Sequence, residues 1–114
     1  IPINVTHLLL DTNQISSVPA NSFSECLQLI SLILNSNRIS YVDGNAFTGT
    51  VIVALNLNYN ELTAVPDLSS IEQTLKTLYI QRNRISNINN ATFPGNLRFL
   101  YLGRNYISSF NSNL

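Results

Sequence analysis

The few residues that could support catalysis are spaced too far apart to act together. His7 is the only histidine, and Asp11 lies four residues further along the same predicted strand, roughly 13 Å away at about 3.3 Å per residue. General acid–base catalysis needs a partner within hydrogen-bond reach, which excludes this pair. The sequence also has no cluster of histidines and cysteines for zinc, no glycine-rich phosphate loop and no calcium loop. It therefore predicts a protein without enzymatic activity, metal or cofactor.

Side chains suited to binding are more numerous, and they gather in the second half of the chain. Aromatic residues and arginine dominate the energetically important positions of protein interfaces. Six of them fall at outward-facing positions of a repeated pattern, and we expect these six to bind a protein or glycan ligand: Tyr59, Tyr79, Arg82, Phe99, Tyr101 and Arg104. The alternative is a solvated face with scattered exposed aromatic residues, which needs no functional explanation.

The element that must position these side chains is a short stretch that occurs five times. Residues 29–37 read Leu-x-x-Leu-x-Leu-x-x-Asn, and the other copies start near residues 5, 52, 75 and 97. The asparagines that end the five copies are spaced by 24, 23, 23 and 22 residues: Asn13, Asn37, Asn60, Asn83 and Asn105. A fixed period of about 20 to 29 residues with this pattern is the signature of the leucine-rich repeat.

Each fixed position of the pattern has a physical role. Alternate strand residues face opposite sides, so Leu32 and Leu34 should point into the core while Ile33 points out. One copy cannot bury its apolar face alone, and stacked copies must bury it for each other. We therefore expect an α/β repeat solenoid with a short parallel sheet on its concave side and irregular or short helical turns on its convex side. The five asparagines should form a buried ladder that satisfies backbone groups, which is a structural role.

The rest of each repeat resembles the "typical" class of extracellular leucine-rich-repeat proteins. Ile15, Val18, Pro19 and Phe23 match its consensus, and the opening IPINVTHL resembles the exit from an N-terminal cap in that class. Toll-type receptor ectodomains, jawless-vertebrate lymphocyte receptors and matrix leucine-rich-repeat proteins share this layout. The resemblance implies a secreted protein or an ectodomain, with a non-catalytic role in recognition or adhesion. Such caps carry paired cysteines that this sequence lacks, so we expect one domain over residues 1–114 without caps.

Individual positions in the repeats predict further details of the local structure. Ser70 stands where the third repeat should have phenylalanine, so Leu68 and Ile71 should fill the gap and the convex turn should change shape. The single cysteine, Cys26, occupies a consensus leucine position, and we expect a buried thiol because free cysteine is among the most buried residue types. The fifth repeat should place Phe110 on its convex side.

Charge and composition set the remaining expectations. The net charge is zero, which gives no argument for nucleic-acid binding, and no apolar run approaches the 18 residues that membrane insertion needs. The charges are nevertheless divided: residues 1–72 sum to −5 and residues 73–114 to +5. This division favours an acidic partner or head-to-tail stacking of copies into a filament, or it is chance. Two sequons predict N-glycosylation, at Asn4 and Asn90.

Overall fold

The computed structural model describes residues 3–108, so the predicted convex residue Phe110 and the first two residues of the opening segment lie outside the described part. A 3₁₀ helix occupies Ser69–Ile71. The strands in chain order are β1 (His7–Leu9), β2 (Ser17–Val18), β3 (Ser31–Ile33), β4 (Tyr41–Val42), β5 (Ala54–Asn56), β6 (Thr77–Tyr79) and β7 (Phe99–Tyr101). Among the described residues, no helix has the length and apolar character needed to cross a membrane.

The strands form two parallel sheets. The larger sheet has the order β1-β3-β5-β6-β7, with each repeat paired to the next, and its solvent-facing side is called here the concave face. This arrangement confirms the predicted repeat solenoid. A second sheet pairs β2 with β4 on the convex side, where the sequence had suggested only irregular or helical turns. Backbone groups in the first two convex segments therefore pair with each other.

The register of the larger sheet places equivalent residues of neighbouring repeats side by side. Leu32 pairs with Leu55, and Leu55 pairs with Leu78. These three side chains have no exposed surface, whereas their equivalents in the outer strands, Leu8 and Leu100, are half-buried. The difference follows from the solenoid principle, because each interior rung is covered by a repeat on both sides.

The convex half of the core is filled by aromatic and aliphatic side chains. Phe23 and Phe47 stack with their ring centroids 6.3 Å apart. Cys26 is buried at 3% exposure, which confirms the expectation for its thiol. In the third repeat, Leu68 and Ile71 are buried beside the 3₁₀ turn and take the place of the missing phenylalanine. The substitution leaves the buried hydroxyl of Ser70 without a hydrogen-bond partner in the described part of the chain.

The repeat asparagines tie each repeat to the one before it. In the central rung, Asn60 accepts the backbone N–H of Ile39 at 2.9 Å and donates to the carbonyl oxygens of Leu34 and Leu57, both at 3.1 Å. Equivalent contacts to the preceding repeat are made by Asn37, Asn83 and Asn105.

Burial along the ladder is not uniform, and this corrects the expectation that all five asparagines are buried. Asn37, Asn60 and Asn83 are buried, but Asn105 is half-buried and Asn13 is exposed. These two asparagines follow the outer strands of the sheet, β1 and β7, where one side of the rung has no described repeat packed on it. Asn13 makes its side-chain hydrogen bonds within its own turn, to the carbonyl oxygens of Leu10 and Asp11.

The residue just before each asparagine is held in the left-handed backbone region. The φ angles there lie between 56° and 60°, in a set that we call the trailing positions: Thr12, Ser36, Tyr59, Arg82 and Arg104. A non-glycine residue at positive φ is uncommon, because the side chain crowds the backbone. This conformation turns the chain out of the strand and directs a full side chain to the rim of the concave face.

Candidate binding surface

Three of the six predicted site residues lie on two neighbouring strands of the concave face. Tyr79 and Tyr101 are register partners in β6 and β7, and their rings stack with centroids 4.7 Å apart and planes within 5°. Phe99 stands beside Thr77 in the same pair of strands and is 55% exposed. The stacking contact restrains both tyrosine rings in the absence of a ligand, since such aromatic pairs contribute about 0.5–1.5 kcal/mol.

The other three predicted residues lie at trailing positions, along the rim where the strands end. The Arg82 guanidinium carbon sits 5.3 Å from the centroid of the Tyr59 ring, within the range of a cation–π interaction. Arg104 follows on the next repeat, and the backbone N–H of Arg82 donates to the Gly103 carbonyl oxygen at 2.9 Å. These side chains line an open groove together with Tyr106 and two ladder asparagines.

Two amide side chains on neighbouring repeats, those of Asn58 and Gln81, are hydrogen-bonded to each other. The backbone N–H of Gln81 donates to Asn58 Oδ1 at 2.6 Å, and Asn58 Nδ2 donates to Gln81 Oε1 at 3.3 Å. Both residues sit between the strand tyrosines and the trailing positions. Asn58, Gln81 and Tyr106 were not among the six predicted site residues. Asn58 and Gln81 directly precede the predicted residues Tyr59 and Arg82, and this position was a signal that could have identified them.

The electrostatics of this half of the concave face are one-sided. Residues 73–114 contain five cations and no acid. Arg84 lies 3.8 Å from Glu61, and within residues 3–108 no ion pair is formed by Lys76, Arg82, Arg98 or Arg104. Four of the five cations therefore have no acidic partner in the described part of the chain, and two of them, Arg82 and Arg104, line the groove at the rim.

The residues considered for catalysis are not brought together. The nearest side-chain partner of the His7 ring is its neighbour, with Nδ1 3.0 Å from Thr6 Oγ1, while Asp11 accepts the Thr12 hydroxyl at 3.4 Å. Among the described residues, no group of three or more histidine, cysteine, aspartate or glutamate side chains is placed to hold a metal ion.

The two sequons lie away from the aromatic centre. Asn4 precedes β1, at the far end of the sheet from β6 and β7, and it is exposed. Asn90 is also exposed and lines a surface groove with Val65 and Pro66, among the convex segments of the third and fourth repeats. A glycan at either position would leave the aromatic centre accessible.

Comparison with known proteins identifies the family. The model of the family described as "Leucine rich repeat" matches residues 3–62. Fibromodulin of Oryctolagus cuniculus is 32% identical over the whole chain, which covers 76% of that protein, and fibromodulin of Sus scrofa gives the same values. The chain belongs to the leucine-rich-repeat family. A further relative in this family, lumican of Gallus gallus, is 33% identical over 82% of the chain, which covers 27% of that protein.

These relatives decide two of the expectations drawn from the sequence. Fibromodulin and lumican are secreted extracellular matrix proteins, so the predicted resemblance to extracellular leucine-rich-repeat proteins and the extracellular localisation are both confirmed. The relatives are not enzymes. Their similarity supports a non-catalytic, protein-binding role at the level of the family.

Proposed function

We propose that this protein is a non-catalytic extracellular recognition module that binds a protein or glycan ligand on its concave face. The observation that carries the proposal is the stacked pair of Tyr79 and Tyr101, with the exposed Phe99 ring beside it. Large aromatic side chains are normally buried when they have no partner, and a cluster of them on a rigid sheet is typical of an interaction site.

The arrangement favours binding for an energetic reason. Association costs free energy for every side chain that must be immobilised, about 0.5–1.5 kcal/mol each. Here the stack fixes two tyrosines, and the Arg82–Tyr59 contact restrains two further side chains. These side chains therefore lose much of their conformational freedom when the protein folds. A ligand that covers them gains contact area without having to order them first.

The test is the loss of binding in a double variant, Tyr79→Ala with Tyr101→Ala. The wild-type chain is titrated against a panel of purified extracellular matrix proteins and glycans, and each ligand found is retested with the variant. Removing two interface aromatics should lower the affinity by roughly tenfold or more, since truncation of such residues typically costs above 1 kcal/mol each. Tyr41→Ala is the matched control, because Tyr41 is 56% exposed on the convex strand β4. A ligand whose affinity is unchanged in the double variant would refute the concave site.

A second candidate function is a structural one, in which copies stack end to end into an extended assembly. The observation that favours it is the charge division, −5 over residues 1–72 and +5 over residues 73–114. Contacts between unlike charges weaken as salt is added. Light scattering should then show a mass that rises with protein concentration and falls between low and high salt. A constant monomer mass at low salt would exclude stacking and leave the recognition module.

A further inference from the structure

The last two repeats carry cations where the other repeats carry neutral residues, at both ends of the strand. The position immediately before each concave strand, called here the leading position, is occupied in turn by Thr6, Ile30, Val53, Lys76 and Arg98. The trailing positions change in the same way, from Thr12, Ser36 and Tyr59 to Arg82 and Arg104. The fold tolerates neutral side chains at both positions, so it does not require these four charges.

The four cations are also placed in like-charge pairs. The backbone N–H of Arg98 donates to the Lys76 carbonyl oxygen at 2.8 Å, and Arg82 and Arg104 are joined through Gly103 in the same way, so each pair occupies adjacent rungs. Like charges on neighbouring strands are destabilising. Within residues 3–108 none of the four is compensated by an acid. An anionic ligand would remove this repulsion at both ends of the strands at once.

Between the two pairs lies an uncharged aromatic floor. It consists of Tyr79, Phe99 and Tyr101, with the amides of Asn58 and Gln81 at its edge. Arg82 follows Lys76 by six positions, so the backbones at the leading and trailing positions are at most roughly 20 Å apart at about 3.3 Å per residue. A ligand that reaches both pairs must be extended and must carry its charges at intervals, with uncharged groups between them.

We propose that these seven residues form a site for a sulfated polysaccharide, which we call the basic–aromatic surface: Lys76, Tyr79, Arg82, Phe99, Arg98, Tyr101 and Arg104. The proposal rests on the concave site proposed above and names the ligand class for it. Guanidinium groups pair well with the oxygens of an oxyanion such as a sulfate ester. The CH-rich faces of sugar rings suit the exposed Phe99 ring, and the amides and tyrosine hydroxyls suit sugar hydroxyls.

The charge spacing favours this ligand over an acidic peptide. Sulfate groups recur along a stiff sugar chain, so one chain places anions at both rims and neutral rings over the aromatic floor. A flexible peptide would have to be ordered across the whole sheet, at a cost in conformational entropy. Binding of an acidic peptide as tight as that of the sulfated chain would therefore contradict the proposal.

The test measures binding to heparin by the wild-type chain and by an Arg82→Asn/Arg104→Asn double variant. Asparagine is chosen because it tolerates positive φ, so the variant removes two charges without straining the trailing positions. We expect the affinity to fall by roughly tenfold or more, since two charge-assisted contacts are lost. Lys76→Gln/Arg98→Gln should give a loss of similar order. Arg38→Gln is the control, because Arg38 is exposed in the acidic half of the chain and glutamine removes its charge without creating a sequon.

Further ligands separate the alternatives. Desulfated heparin, hyaluronan and polyglutamate should all bind at least tenfold more weakly than heparin. Equal binding of polyglutamate or hyaluronan would overturn the assignment, and so would an equal effect of Arg38→Gln. Either result would show attraction by bulk charge alone. Failure of heparin to bind would overturn it too. A protein ligand that still depends on Tyr79 and Tyr101 would in that case leave the concave recognition site intact, so the two proposals fail separately.

Discussion

Replacement of a central ladder asparagine should destabilise the fold far more than replacement of the first one. In Asn60→Ala, the buried N–H of Ile39 loses its acceptor at 2.9 Å, and an unsatisfied buried donor costs about 1–3 kcal/mol. The carbonyl oxygens of Leu34 and Leu57 each keep a second donor, from Asn37 and Asn83, so their losses are smaller. With about 0.5–1.5 kcal/mol for each of these two hydrogen bonds, the total is about 2–6 kcal/mol.

Asn13 provides the exposed counterpart against which the cost at Asn60 is compared. Asn13 is exposed, and water can replace its two local hydrogen bonds, so Asn13→Ala should cost no more than about 1 kcal/mol. Urea unfolding followed by circular dichroism gives the free energy of unfolding of each variant, with an unchanged slope indicating the same folded state. If Asn60→Ala fails to fold while Asn13→Ala folds, the ordering still holds. Two costs within about 1 kcal/mol of each other would refute the proposed role of burial in the ladder.

Three further predictions address single residues. The Ser69 backbone N–H donates to Asp67 Oδ1 at 2.9 Å and lowers the pKa of Asp67. The stability that Asp67 contributes is therefore present above its pKa in the unfolded chain and is lost as pH falls through its pKa in the folded chain. Asp67→Asn should reduce this loss of stability at acid pH, measured by urea unfolding at several pH values. The buried thiol of Cys26 should react with Ellman's reagent only after urea unfolds the chain. Secreted protein should lose mass on treatment with PNGase F, and Asn4→Gln and Asn90→Gln should each abolish part of that loss.

The repeat pattern predicted the parts of the fold that depend on register. Leu32, Leu55 and Leu78 occupy the same place in three copies, so any solenoid that buries one of them buries all three. The order of the concave strands follows for the same reason, because consecutive copies must cover each other. The predicted substitution of Leu68 and Ile71 for a missing phenylalanine also followed from position alone.

Other features depend on contacts that a pattern does not contain. The convex sheet has only two residues in each strand, too few to show an alternating pattern in the sequence. The exposure of Asn13 depends on what covers the outer rung, although its sequence context matches that of the buried asparagines. The Tyr79–Tyr101 stack and the Arg82–Tyr59 contact depend on side-chain rotamers. The repeated pattern predicted which six residues face outward. The structure places three of them on β6 and β7 and the other three at trailing positions.

The trailing positions connect the stability of the solenoid to the proposed binding surface. All five residues there have positive φ, and a non-glycine residue pays of order 1 kcal/mol or more for that conformation. Thr12 and Ser36 hold the same turn with small side chains, so the turn itself has no need of tyrosine or arginine. The large side chains of Tyr59, Arg82 and Arg104 therefore contribute nothing that the fold demands, and a ligand explains them better. The same substitutions should therefore lower the affinity without lowering the stability. The Arg82→Asn/Arg104→Asn variant should have a urea unfolding midpoint equal to or above that of the wild type, and a lower affinity for the anionic ligand.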